Sequence, residues 1–269
     1  MKLGRIIAAA AAALVLFGAQ SQALADQLSD IKARGVLRCA VPQDYPPFGF
    51  VGPDMKMQGY DVDTAAFLAS ELGVRCELIP VTGPNRIPFL QSGRADIVIS
   101  TLGKTEERMR ILDFTTAYAP TFLGVFGPAG EKVSQAADLK GRSVGATRGN
   151  IEDQLLTKMV PDGVNYKRYE DNNTTSQAYL SGQTDFICCL NFVAGALSSR
   201  VKADRVPELK FRLRNSPNYI GVRKGETALR DALNAALKKG FDNGTLGSFC
   251  QKYLGTAIPS DLLQQEPEL

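Results

Sequence analysis

Four short runs carry side chains able to hold a small anion. In Ser100-Thr101-Leu102-Gly103-Lys104-Thr105-Glu106-Glu107-Arg108, Thr105 is placed to cap a helix whose first turn carries Glu106 and Glu107. Arg108 then stands in that turn, near the strand end bearing Ser100 and Thr101. A guanidinium fork beside hydroxyls and free backbone N–H groups suits a carboxylate. An Arg next to two Glu is equally an ordinary surface pair, which alone contributes little. In Thr147-Arg148-Gly149-Asn150-Ile151, a glycine turn joins a strand to a helix, and its N–H groups can face the same anion from the other side. One glycine is no dinucleotide fingerprint, which needs G-x-G-x-x-G. The run Asp44-Tyr45-Pro46-Pro47-Phe48 holds two rings on a proline-stiffened loop. Tyr45 and Phe48 there either meet a ligand at small ordering cost or fill the core. Leu190-Asn191 closes a further strand.

Composition removes much other chemistry. The 269 residues include no His, which excludes His-based nucleophile relays, His-containing zinc motifs and two-His iron sites. Cys39, Cys76, Cys188, Cys189 and Cys250 are odd in number, so at least one is free or pairs with another chain. Cys39 and Cys76 fall in strands expected to be neighbours, where a bridge and two buried thiols are both open readings. Cys188-Cys189 is vicinal and lacks the C-x-x-C spacing of a redox pair. No catalytic residue, metal-ligand set or cofactor motif is therefore predicted. Nor is nucleic acid an expected partner. There is no Trp, and 31 Lys and Arg face 28 Asp and Glu with no basic block.

Residues 1–25 read as a leader. Lys2 and Arg5 precede an apolar run from Ile6 to Phe17, and Ala23-Leu24-Ala25 supplies a small-residue cleavage site. The run is shorter than the roughly 20 residues that span a bilayer, and no Cys follows the cut to take a lipid. These features predict export to the periplasm as a freely soluble chain.

The elements that must position the four runs alternate between strand and helix. Strands are expected at Val36–Val41, Val74–Val81 and Asp96–Ser100, with helices at Asp61–Leu72, capped by Asp61 and ended by Gly73, and at Arg86–Gln91. From about Ser134 the pattern restarts. A helix near Ser134–Leu139 is followed by strands at Ser143–Thr147, Val164–Tyr169 and Asp185–Leu190, with helices from Ile151 and Thr174 between them. A strand at Tyr219–Val222 and two helices, Glu226–Phe241 and Leu246–Tyr253, form the tail. Strand–helix–strand units of this length predict parallel sheets. Phe89-Leu90-Gln91-Ser92-Gly93-Arg94-Ala95-Asp96-Ile97-Val98 is echoed by Ala178-Tyr179-Leu180-Ser181-Gly182-Gln183-Thr184-Asp185-Phe186-Ile187, which suggests two similar α/β lobes. Ligands of open α/β sheets bind beyond the carboxyl ends of the strands. Facing ends near Ser100-Thr101 and Leu190-Asn191 would make a cleft.

Together these runs resemble the periplasmic solute-binding proteins of family 3, the polar amino-acid receptors of ABC importers. The resemblance extends from Leu28 to about Pro259 and rests on Tyr45-Pro46-Pro47-Phe48, Gly59-Tyr60-Asp61-Val62-Asp63, the run from Ser100 to Arg108, and Leu112-Asp113-Phe114-Thr115. It implies the type II binding-protein fold, two α/β lobes joined by two extended crossovers with the ligand cleft between them. One lobe would comprise residues 26–120 and 217–269, and the other residues 121–216. It also implies a monomer that closes on a small ligand and delivers it to an ABC permease in the inner membrane. By position, Arg108 would hold the ligand carboxylate with Thr101 and the backbone at Asn150 and Ile151, Tyr45 would pack on the ligand, and Arg86 would lie against it. Phe48, Ser100 and Asn191 complete the candidate set. The sequence departs from many relatives at Leu190-Asn191, where an Asp would pair the ligand ammonium, and at Gly103, where many carry Ser. Asp44 or Asp171 are candidates for the missing charge, and Arg86 beside Arg108 would favour an acidic ligand. Two other readings use the same fold, a cyclohexadienyl-type dehydratase and a ligand-binding sensor module.

Overall fold

Asp26 caps the first helix, α1 (Gln27–Arg34), by accepting from Ser29 N at 2.8 Å. The computed structural model describes residues 26–160 and 162–268; the leader expected at residues 1–25 lies outside them. After α1 come β1 (Val36–Pro42) and a small antiparallel sheet of β2 (Asp44–Tyr45), β3 (Gly49–Val51) and β4 (Met57–Gln58). Then follow α2 (Tyr60–Glu71), β5 (Arg75–Val81), α3 (Arg86–Gln91), β6 (Ile97–Leu102), α4 (Glu106–Ile111) and β7 (Leu112–Ala119). The chain crosses to a second sheet through β8 (Phe122–Pro128), β9 (Ser143–Thr147), α5 (Ile151–Met159), β10 (Asn165–Tyr169), α6 (Asn172–Leu180), β11 (Phe186–Leu190), α7 (Asn191–Leu197) and β12 (Pro207–Asn215). It returns through β13 (Asn218–Arg223), α8 (Thr227–Asp242) and α9 (Thr245–Phe249).

The two sheets share one plan. Their strand orders are β5-β1-β6-β13-β7 and β10-β9-β11-β8-β12. In each, the strands of the strand–helix–strand units are parallel, as the spacing predicts. The expectation of parallel sheets fails for one strand of each sheet. β13 pairs antiparallel with both β6 and β7, and β8 with both β11 and β12, so these two strands, each the first after a crossing, run against the rest of their sheets. This is the two-lobe type II fold. The helix expected near Ser134–Leu139 is a single 3-10 turn, Ala136–Leu139.

Two local differences bear on the cleft. Helix α2 begins at Tyr60, so Asp61 sits in its first turn rather than at its cap. The position before it, Gly59, has φ 137°, and a Cβ there would lie 2.2 Å from the Phe48 carbonyl oxygen; only glycine fits. Cys39 and Cys76 are free, with sulfurs 3.7 Å apart. In the parallel register Cys39 faces Leu78 and Cys76 faces Leu37, so the two thiols meet on a diagonal rather than as directly opposed partners.

The two crossings lie side by side, Ser216 N donating to Thr121 O at 3.1 Å and Thr121 Oγ1 to Asn218 Oδ1 at 3.1 Å. The tail folds over them. Leu262 is buried against Ala117 and Tyr219 of the first sheet, and Gln265 O accepts from the Tyr219 hydroxyl at 2.9 Å. Glu266 pairs with Lys104 at 2.8 Å, while Glu268 accepts from Asn215 N at 3.1 Å and from Nδ2 at 2.7 Å at the end of β12.

Candidate functional site

Between the sheets lies a narrow cavity. One lobe contributes Tyr45, Arg86, Thr101 and Gly103, and the other Asn150, Ile151, Glu152 and Leu190. Its free volume is about 10 Å³, room for about one water molecule. A larger groove of about 580 Å³ opens at the outer lip, bounded by Pro46, Phe50, Val193 and Leu197. Neither Arg86 nor Arg108 lines it.

Arg86 starts α3 and is buried. One terminal nitrogen donates to Ser100 O and reaches Thr101 Oγ1 at 3.5 Å; the other crosses the cleft to Asn150 Oδ1 at 3.0 Å. Its Nε has no partner. Arg108 is carried by α4, whose cap Thr105 accepts from Arg108 N at 3.2 Å, as the sequence predicts. Its guanidinium donates to Gly103 O and, across the cleft, to Gly149 O, each at 3.0 Å. No carboxylate forms an ion pair with either arginine among the described residues. Burial lowers the pKa of both, and that of Arg108 falls to about 9 with Arg86 adding repulsion. Both buried guanidinium groups are hydrogen-bonded only to neutral oxygens, with the Glu152 carboxylate acting on them through space, which leaves the site able to take a bonded anion.

Asn150 precedes α5, and Ile151 and Glu152 are that helix's first two residues. The Asn150 amide bonds Arg86 through its oxygen and Glu152 Oε1 through its nitrogen, the latter at 3.1 Å. The Tyr45 hydroxyl donates to the same Oε1 and accepts from Leu190 N, both at 3.5 Å, the long end of the hydrogen-bond range. Burial raises the Glu152 pKa, opposed by Arg86 and Arg108. Outside the cavity, Asp44 accepts from Asn172 N at 2.8 Å, Asn172 Nδ2 at 3.1 Å and Asn173 N at 3.3 Å. It thereby joins the β2 loop to the start of α6.

The structure thus brings Tyr45, Arg86, Thr101, Asn150 and Ile151 together around the cavity. Arg108 lies behind its wall, and Ser100 offers Arg86 its carbonyl. Phe48 and Asn191 are elsewhere. Phe48 is fully buried, edge-on to Tyr60 at 6.3 Å, so it supports the loop from beneath. Asn191 turns back toward the crossing, its Oδ1 accepting from Phe122 N at 3.1 Å, because the chain enters α7 directly after Leu190. Glu152 and Asp61 are the residues sequence reasoning missed. Glu152 follows the glycine turn by three residues, and a first-turn Glu ordinarily reads as helix-end polarity. Asp61 accepts from Thr101 N at 3.0 Å and the Tyr118 hydroxyl at 2.7 Å.

Known proteins resemble this chain in sequence and in fold. The family model for bacterial extracellular solute-binding proteins, family 3, matches residues 37–256. The L-cystine-binding protein TcyJ of Escherichia coli (strain K12) is 30% identical over 262 residues, covering 95% of this chain and 97% of its own. An ancestral arginine-binding protein bound to arginine superposes with a TM-score of 0.75 at 32% identity, over 82% of this chain and 99% of its own. The ancestral amino acid-binding protein AncCDT-1, a precursor of cyclohexadienyl dehydratase, gives 0.77 at 29% identity, over 86% and 100%. These relatives are binding proteins, one of them ancestral to an enzyme. With the family match spanning most of its length, this chain belongs to the bacterial extracellular solute-binding proteins, family 3.

Proposed function

We propose that this chain is the capture subunit of an ABC importer for an amino acid or a related small carboxylate. It is exported through the leader at residues 1–25, works as a monomer in the periplasm without chemical turnover, and hands its ligand to the inner-membrane permease. Residues 26–120 and 217–269 move as one lobe and residues 121–216 as the other, hinging at the two crossings. The observation that carries the reading is the pair of buried guanidinium groups, Arg86 and Arg108, with no carboxylate bonded to either among the described residues. A ligand carboxylate meets that demand, and both arginines reach across the cleft, so the same anion favours closure. The names of the relatives, binders of cystine and arginine, support an amino acid.

The test is a thermal-shift panel on protein that has been unfolded, stripped of carried-over ligand and refolded. The panel holds L-amino acids, L-cystine, dicarboxylates and a cyclohexadienyl acid. At 100 times its dissociation constant a ligand stabilises by about 2.7 kcal/mol, a shift of several degrees. Arg108→Ala is expected to weaken binding of every responding ligand about thirtyfold or more, since removing one partner of a buried charge pair costs about 2–5 kcal/mol. Wild-type affinity in that variant would refute the site. A shift by the cyclohexadienyl acid alone, followed by its conversion to an aromatic product, would replace the importer reading with a dehydratase.

A further inference from the structure

An amino acid brings a cation to the cleft as well as an anion, and Leu190, at the strand end facing the cavity, has no charge to offer it. The acidic groups nearby differ in how fully they are engaged. Asp44 is held by three donors from Asn172 and Asn173. Asp61 accepts on both oxygens from Thr101 and Tyr118. Asp153 is held by Arg168, Tyr166 and Gly149. Asp171 caps α6 through Thr174. Glu152 is the exception. It is 4% exposed and lines the cavity. Its Oε1 meets Asn150 and Tyr45, and its own backbone N–H adds to the carboxylate. No other residue among those described donates to Oε2, and no Lys or Arg is paired with the group.

We propose that Glu152 is the counter-charge for the ligand's α-ammonium, so that the site selects free α-amino acids over acids lacking the amine. The inference rests on the amino-acid reading above. Its geometric basis is the Asn150 amide, whose oxygen meets Arg86 and whose nitrogen meets Glu152. One amide carbon therefore stands between Arg86 and Glu152, which each bond to that amide and not to each other. An α-amino acid likewise carries its two charged groups on a single carbon, in complementary sense. The Tyr45 hydroxyl from the opposite lobe also meets Glu152 Oε1, so closure orients the carboxylate.

The experiment compares two probes by calorimetry on stripped and refolded protein. One is the L-amino acid giving the largest shift among the twenty standard ones and L-cystine; the other is the same molecule with hydrogen in place of its α-ammonium. Wild type is expected to prefer the amino acid, and Glu152→Gln to lower that preference roughly ten- to a hundredfold, the range for a hydrogen bond between charged groups. Gln keeps the size of Glu and an acceptor for Asn150, and a purely structural role would weaken both probes alike. An unchanged preference in Glu152→Gln overturns the proposal and leaves the importer reading standing. Equal affinity of wild type for the two probes also overturns it, and does so even if the variant fails to fold. If wild type binds no α-amino acid at all, the proposal falls together with the amino-acid form of the importer reading, while a response to a dicarboxylate leaves the small-carboxylate form standing.

Discussion

Thr101 holds φ 45°, a left-handed conformation for a residue with a Cβ, which costs about 1–3 kcal/mol and persists only where neighbours enforce it. Asp61 is the enforcing group, accepting the Thr101 N–H from inside helix α2. Burial pushes the Asp61 carboxyl up to about 8, against the opposing pull of Tyr118, Thr101 and Arg86. An unfolded Asp titrates near pH 3.9. Between these values the folded chain holds a proton that the unfolded chain has lost. The contribution of Asp61 is therefore full below about pH 4 and declines as pH rises toward about 8. Asp96, Asp113 and Asp153 are held low by arginine and lysine partners and act in the opposite sense, on the acid side of that window. The urea midpoint of wild type is expected to fall from pH 5 to pH 8, and Asp61→Asn to flatten that slope. An unchanged slope in the variant would mean that Asp61 is already ionised in the fold. At this scale Thr105 was legible as a cap because its chemistry is local. Glu152 and Asp61 were not, because what sets them apart is which residue of a distant element stands opposite.

The repeated Ser-Gly-x-x-Asp turn does the same work in both lobes. After α3 and after α6 a Ser ends the helix and a Gly turns the chain at φ 72° and 79°. The Asp then accepts a backbone N–H near the start of the neighbouring parallel strand. Asp96 takes Arg38 N in β1 and Asp185 takes Ser143 N in β9, each at 2.8 Å. Asp96 also receives the Arg34 and Arg38 guanidinium groups and is almost fully buried, whereas Asp185 has only Ser143 as a donor among the described residues and is partly exposed. Asp96→Ala is accordingly expected to lower stability by about 2–4 kcal/mol and Asp185→Ala by about 1 kcal/mol, measured by chemical denaturation. Equal losses would show that the arginines add nothing to the turn. The echo was visible in the sequence because a turn constrains residue types at fixed offsets. Strand direction was not, since apolar runs such as those in β7 and β13 look alike whichever way a neighbour runs.

Across the whole molecule the lobes meet closely enough that one methyl group matters. A Cβ on Gly103 would stand 2.5 Å from Ile151 Cδ1 and 2.9 Å from Ser216 Oγ. Gly103→Ser is expected to weaken ligand binding about tenfold by overpacking the closed cleft. Adding Ile151→Val, which removes the obstructing Cδ1, should restore much of it in calorimetry. No rescue would locate the obstruction at Ser216. The cavity's free volume of about 10 Å³ means that an amino acid enters only as the lobes part. The two-lobe plan could be read from the chain, but this tight fit could not, because it depends on side chains more than 40 positions apart in sequence meeting across the cleft.

The stretch from Leu262 to Glu268 joins the first sheet to the end of β12 alongside both crossings. On the proposed hinge motion it lies in parallel with the joint like a leaf spring, so a rotation that opens the cleft would bend it or release its outer anchor at Asn215. A fluorophore fused beyond Glu268 would thus sit on the proposed joint and alter the stiffness it was meant to report. One placed on the exposed outer face of α8 would leave that stiffness untouched.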